Sequence, residues 1–216
     1  MTGDDPVRSA IGQREQALAE ARRAFGDDHP HTLSAMLDLA EALWAQGRLI
    51  AARRLEEQVV AGRRRLFGDD HRDTLKALGK LAVTIAAQGE LAEARRMQEA
   101  VLAGMRALDG EIGPETLRAL NNLAGTLAAE GDLDTAGDML REVITTIARL
   151  HGEAHLDCLA AMGNLASVLW RAGDYDEAYE AQRWVVDLCR KSLGPEEAVT
   201  RAAEAVLESM GQRGGF

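Results

Sequence analysis

This chain has very little cysteine, aromatic side chain or proline, no surplus of positive charge and no long apolar run, and each shortage narrows what it can be. Two cysteines in 216 residues, Cys158 and Cys189, are too few for a disulfide framework, so reduced thiols are expected. Aromatics make up 4% of the chain and prolines number four, a balance that favours helices packed with alanine and leucine over sheets of valine and tyrosine. No apolar stretch approaches the roughly 18 to 20 residues that span a bilayer. The opening MTGDDPVRSAIGQREQALAEA has neither a basic start nor an apolar secretion segment, so the cytoplasm is the expected location. Against 25 basic side chains stand 35 acidic ones, a formal charge of -10. Long-range repulsion at that charge argues against nucleic acid and anionic membrane as partners.

What the chain does have is 46% hydrophobic residues arranged in a repeat. Gly47, Gly89, Gly131 and Gly173 recur at one fixed interval, and Ala40, Ala82, Ala124 and Ala166 recur at the same interval. So do Ala52, Ala94, Ala136 and Ala178. Thr32, Thr74 and Thr116 share one slot, which Cys158 takes in the fourth copy, and Leu33, Leu75, Leu117 and Leu159 follow directly.

Each unit reads as two helices. The first, about 32–46, carries Leu33, Met36, Leu39, Ala40 and Leu43 at helical spacing. Glycine ends it, and a second helix with Leu49, Ala52, Leu55, Val59, Val60 and Leu66 follows almost at once. So short a connection forces an antiparallel pair, and the small alanines let the two backbones approach closely. The stretches FGDDHPHT, FGDDHRDT, DGEIGPET and HGEAHLDC join units. They read as loops and caps, with acidic groups near the next N-terminus and Pro30 and Pro114 in a first turn. The expected architecture is all-α: a right-handed superhelical solenoid of antiparallel helix pairs with about ten helices, forming one domain over 1–216. A leading half-unit spans 7–24, full units span 29–70, 71–112, 113–154 and 155–194, and a capping helix spans 195–211. The tail GQRGGF is expected to fray.

The segment LNNLAGTLAAEGDLDTAGDMLREVI (120–144) resembles the tetratricopeptide repeat, with Leu123, Ala124, Leu127, Gly131 and Ala136 at that motif's fixed positions. The long unit and the HPHT of His29–Thr32 are similar to the form found in kinesin light chains. The resemblance implies that first helices line a concave surface that holds an extended peptide or a partner's helix. It also implies a ligand-facing asparagine slot, filled here by Asp38, Lys80, Asn122 and Asn164.

The helical reading leads to the same face. Lys76 and Lys80 lie opposite one apolar stripe, and Arg118 and Asn122 lie opposite the next, so stacking predicts a small basic and amide patch. An acidic peptide or a C-terminal carboxylate would complement it. Trp44 and Trp170 fill equivalent slots near two first-helix ends and are candidates for the same face, whereas Trp184 reads as packing within a second helix. Arg53, Arg54 and Arg63–Arg65 read as solvated surface offset by Glu56, Glu57, Asp69 and Asp70.

Catalytic and metal chemistry find no foothold. The histidines lie in or beside the joining loops, His29, His71 and His155 at repeat spacing and so on the order of 10 Å apart per unit between stacked helices, and the pairs His29/His31 and His151/His155 lack an evident third ligand. Cys158, at a helix start, reads as a replacement for threonine rather than a nucleophile. No phosphate-cradling glycine loop occurs, so no cofactor is expected. The chain therefore reads as a non-enzymatic scaffold for a protein or peptide. Self-association through solenoid ends or edges is one alternative, and small-ligand sensing or assistance to a separate enzyme is another.

Overall fold

The computed structural model describes residues 6–214, and the flanking Met1–Asp5 and Gly215–Phe216, which include the end of the predicted frayed tail, lie outside the described residues. The described residues form ten helices and no strand. They are α1 (Pro6–Phe25), α2 (Pro30–Ala45), α3 (Leu49–Phe67), α4 (Arg72–Ala87), α5 (Leu91–Asp109), α6 (Pro114–Glu130), α7 (Leu133–His151), α8 (Leu156–Ala172), α9 (Tyr175–Ser192) and α10 (Ala198–Gly214). The chain falls into two compact units, Met1–Leu108 and Asp109–Phe216.

In the first unit the predicted stripe of α2, Leu33, Met36, Leu39, Ala40 and Leu43, is buried together with Ala52, Val59 and Val60 of α3 and Ile85 of α4. In the second, Leu159 of α8 packs with Val185, Val186 and Cys189 of α9 and Ala203 of α10. The four repeated alanines Ala52, Ala94, Ala136 and Ala178 are each 0% exposed, as a close helix crossing requires. Gly131 adopts φ 101°, left-handed backbone that glycine alone takes at little cost, and its N–H caps the end of α6.

The joining loops close in two ways. In α2, α4 and α8 the N-cap is a histidine (His29, His71 and His155) whose Nδ1 accepts the backbone N–H two residues on, at 3.2, 3.2 and 3.3 Å. Each of these rings also lies against the side chain that ends the previous helix, Phe25, Phe67 or His151. Where histidine is missing, the repeated threonine takes over: Thr116 Oγ1 donates to Gly110 O at 2.8 Å, and Thr200 Oγ1 to Gly194 O at 2.7 Å. The proline reading holds, with Pro30 and Pro114 in the first turns of α2 and α6. The closing helix α10 runs from Ala198 to Gly214, beyond the expected end at 211.

Two further expectations are corrected. Trp184 is 52% exposed, because its position on α9 lies outside the Val185, Val186 and Cys189 stripe that packs inward. Glu56 does not offset the surface arginines: it is buried on α3, and three of those arginines pair elsewhere. Arg53 bonds Glu57 and Glu90, Arg64 bonds Asp69, and Arg65 bonds Asp28.

Candidate functional site

Each compact unit presents its own part of the first-helix surface. In the first, α2 contributes Asp38, Glu41 and Trp44, and α4 contributes Lys76 and Lys80, all exposed. Lys80 Nζ donates to Glu41 Oε2 at 2.9 Å across the two helices. That hydrogen bond and the lysine charge hold the Glu41 carboxyl below its ordinary range. Beneath lies Glu56, whose Oε2 is buried without a hydrogen-bond partner, as is Oγ1 of Thr84 on α4. Burial pushes the Glu56 carboxyl above its ordinary range, opposed in part by the nearby Thr84 hydroxyl and the Lys80 charge.

In the second unit Arg118 of α6 reaches Asp157 of α8 with two nitrogens, Nε to Oδ1 at 3.2 Å and Nη2 to Oδ2 at 2.9 Å. Its third nitrogen donates to both oxygens of Glu115, one turn back, at 3.3 and 3.1 Å. Asp157 foremost keeps this guanidinium firmly charged. Asn164 Nδ2 donates to Asn121 Oδ1 at 3.0 Å, and Asn122, next in the chain, is half-buried. Trp170 meets Tyr175 edge-on with ring centroids 4.8 Å apart. It is half-buried, while its counterpart Trp44 is 43% exposed.

Of the three cations that the sequence set out for a ligand, Lys76, Lys80 and Arg118, the last two are thus each partnered by a carboxylate of an adjacent first helix. Sequence reasoning missed Glu41, Glu115, Asp157 and Asn121. The signal that would have found two of them is the offset: Lys80 meets Glu41, and Arg118 meets Asp157, across 39 residues, three short of a whole unit. These two ion pairs reach about one turn out of register, whereas Asn164 and Asn121, 43 residues apart, meet almost in register.

Elsewhere the chemistry is quiet. Cys158 is 0% exposed, and burial raises its thiol above the ordinary range, which keeps it protonated and a poor nucleophile. Among the described residues no three histidine, cysteine, aspartate or glutamate side chains gather as metal ligands. The His29 and His31 rings stack at 5.3 Å. No helix among the described residues is long and apolar enough to cross a membrane.

The repeat of glycine turns, alanine crossings and leucine stripes is matched by family models described as tetratricopeptide repeat over residues 32–73 and 74–111 and over 115–191. The chain belongs to the tetratricopeptide repeat family. Among solved structures it is similar to a Podosopora anserina protein described as a candidate kinesin light chain with nearly identical repeats. A single-residue variant of that protein is 28% identical, with a TM-score of 0.63, over 87% of this chain and 88% of that one. A second structure of the same protein is also 28% identical, with a TM-score of 0.61, over 86% and 88%. The fold is also that of BtubC (BKLC) from P. vanneervenii, at 19% identity and a TM-score of 0.70 over 98% of this chain and 85% of that one. No curated protein matches this tetratricopeptide repeat chain.

Proposed function

We propose that this tetratricopeptide repeat protein is a non-enzymatic protein-interaction scaffold whose first helices hold an extended peptide or a partner's helix. The observation that carries the reading is the row of polar side chains on α6 and α8, where Asn121, Asn122 and Asn164, all partly buried, share a stack with Arg118. Amides at such a place offer both donor and acceptor to a peptide backbone, which suits sequence-tolerant binding of extended chain. Trp44 on α2 and Trp170 on α8 add apolar area for a side-chain anchor. Exposed Asp38 on α2 and Lys76 and Lys80 on α4 make up the first unit's polar share.

The ion pairs set terms for acidic ligands. A peptide carboxylate gains Arg118 only by displacing Asp157 and Glu115, and gains Lys80 only by displacing Glu41. Exchange of one exposed pair for another yields little net energy. Backbone hydrogen bonding and the tryptophans therefore supply most of the affinity, and acidic groups tune it.

Affinity capture from the native cell extract tests this, comparing wild type with the Asn122→Ala/Asn164→Ala and Lys76→Ala/Lys80→Ala variants. A partner lost from a well-folded asparagine variant supports binding on this face; retention of every partner by both variants sinks it. Asp157→Asn frees Arg118 from its bidentate carboxylate and is expected to tighten a captured acidic partner severalfold.

A further inference from the structure

The loops ahead of the first helices close in two forms, by a histidine or by a threonine. The threonine slot is buried wherever it holds threonine: Thr32, Thr74, Thr116 and Thr200 are each 0% exposed. Thr116 and Thr200 donate to the carbonyls of Gly110 and Gly194, six residues back. Gly26 and Gly68 stand at the same distance from Thr32 and Thr74, yet the Oγ1 atoms of these two threonines have no hydrogen-bond partner. What differs is the residue three places before the threonine: His29 and His71 in the unpartnered loops, Gly113 and Glu197 in the partnered ones. We propose that the loops before α2 and α4 are pH-responsive: protonation of His29 and His71 ends the imidazole cap, and the threonine hydroxyl then closes the loop onto the glycine carbonyl.

The cap requires a neutral ring. Nδ1 of His71 accepts the Asp73 N–H and Nδ1 of His29 accepts the His31 N–H, each at 3.2 Å. A proton on that nitrogen turns the acceptor into a donor facing another donor, at a helix end whose amides already carry partial positive charge. Imidazole is the side chain that makes this change between about pH 5 and 8. The charges around His71 are Arg72 and Asp73 on its own helix, the loop carboxylate Asp70, the pair Arg64–Asp69, and Arg63 of α3, which donates to Asp73 O at 2.7 Å. Asp73 Oδ2, 3.9 Å from Nδ1, attracts the imidazolium, and a ring turned toward that carboxylate has left the N–H it capped. Around His29 stand His31, the pair Arg22–Asp27, and Asp28 with its partner Arg65 of α3.

The second form is within reach because this chain already uses it. The loop before α10 carries a charged side chain, Glu197, in the histidine slot, leaves it exposed, and seats Thr200 on Gly194. An imidazolium can turn out to solvent in the same way. The loop before α6 is narrower: a Cβ at Gly113 would collide with Asp109, so that version has no room for a larger residue. In the neutral form each histidine loop holds one capped N–H and one buried hydroxyl without a partner. The acid form trades the first bond for the second, so the number of bonds is unchanged and one proton tips the balance. The ring also leaves the phenylalanine on which it stacks, Phe67 for His71 and Phe25 for His29.

The third histidine loop lacks the second closure. There Cys158 fills the threonine slot, with Sγ 3.9 Å from Ile144 O of α7, and a thiol is a weak donor. His155 lies against the His151 ring and beside the Asp157 carboxylate, and its Nδ1 accepts the Asp157 N–H at 3.3 Å. Its protonation loosens the start of α8 with no new bond to replace the cap. The molecule thus carries its own control, two loops that exchange one closure for another and one that only opens.

Carbon and proton NMR of the full chain, titrated from about pH 8 to about pH 5, tests the exchange. The Gly68 carbonyl resonance is expected to move with the same midpoint as the His71 ring, as it gains the Thr74 hydroxyl. Protection of the Asp73 amide against hydrogen exchange is expected to fall severalfold over the same span. In T74V the ring still titrates and the amide still loses protection, but the Gly68 carbonyl barely moves. H71A holds that carbonyl at its acid position at every pH. C158T gives the Gly152 carbonyl a response to His155 that wild type lacks. A Gly68 carbonyl that stays put while His71 titrates overturns the proposal. So does one that moves as far in T74V as in wild type, or a Gly152 carbonyl no more responsive in C158T, with circular dichroism confirming that each variant is folded.

Discussion

Glu56 is the residue whose environment fits it least. Its equivalents one and three units on are Gln98 and Gln182, and Gln182 uses its amide to donate to Ala203 O at 2.9 Å. Glu56 instead brings a carboxylate into a buried place with Oε2 unpartnered. Its carboxyl is raised by burial, so the folded state holds the proton more tightly than the unfolded chain does. The stabilisation this represents is complete below the unfolded glutamate value of about 4.3 and is lost as pH rises through the higher folded value. Wild type is therefore penalised at neutral pH. Glu56→Gln is expected to add about 1 kcal/mol at pH 7, a rise of about 2–4 °C in the thermal midpoint, and the gain should vanish near pH 4. Thermal melts of both proteins across that range check it, and an equal difference at every pH would contradict the burial argument.

Among the elements, the loops define where first helices begin. His71 both caps α4, through the Asp73 N–H, and stacks on Phe67 with ring centroids 4.6 Å apart. His71→Ala is expected to cost about 1 kcal/mol and to speed hydrogen exchange at the Asp73 amide, while His71→Asn restores most of the cap. Equal melts for the alanine and asparagine variants would assign the loss to stacking alone. The helices themselves were legible from the sequence because glycine, alanine and leucine act through backbone conformation and volume, which each residue carries with it. The imidazole caps were not, because histidine is outside the usual capping set and only the loop's path brings Nδ1 to the N–H two residues on. Trp184 was misplaced for a related reason: beside Val185, it sits one residue off the buried stripe, a rotation of about 100° around the helix. The partners of Lys80 and Arg118 were hidden by geometry as well. A repeat aligns equivalent slots, whereas these two long-armed ion pairs join slots about one turn apart.

On the scale of the whole molecule, a repeat protein draws its stability from each helix and its immediate neighbours, so the ends are held by fewer contacts than the middle. Among the described residues α1 packs on α2 and α10 packs on α9, each at an end of the chain's helix order. Native-state hydrogen exchange at low micromolar concentration is expected to open α1 and α10 first and to leave α3 and α8 among the slowest. Uniform protection across all ten helices would show instead a single cooperative transition.

The 39-residue spacing of the ion pairs separates two kinds of inheritance. A gene that gains or loses one whole unit keeps every glycine turn and alanine crossing in phase, since those recur at the unit length itself. The pairs Lys80–Glu41 and Arg118–Asp157 join residues of successive units, and each needs one particular neighbour. Adding or removing whole units therefore leaves the backbone in phase, whereas a unit parted from its neighbour leaves Lys80 or Arg118 without the carboxylate of the adjacent helix. The backbone is indifferent to the order of its copies; the surface remembers it.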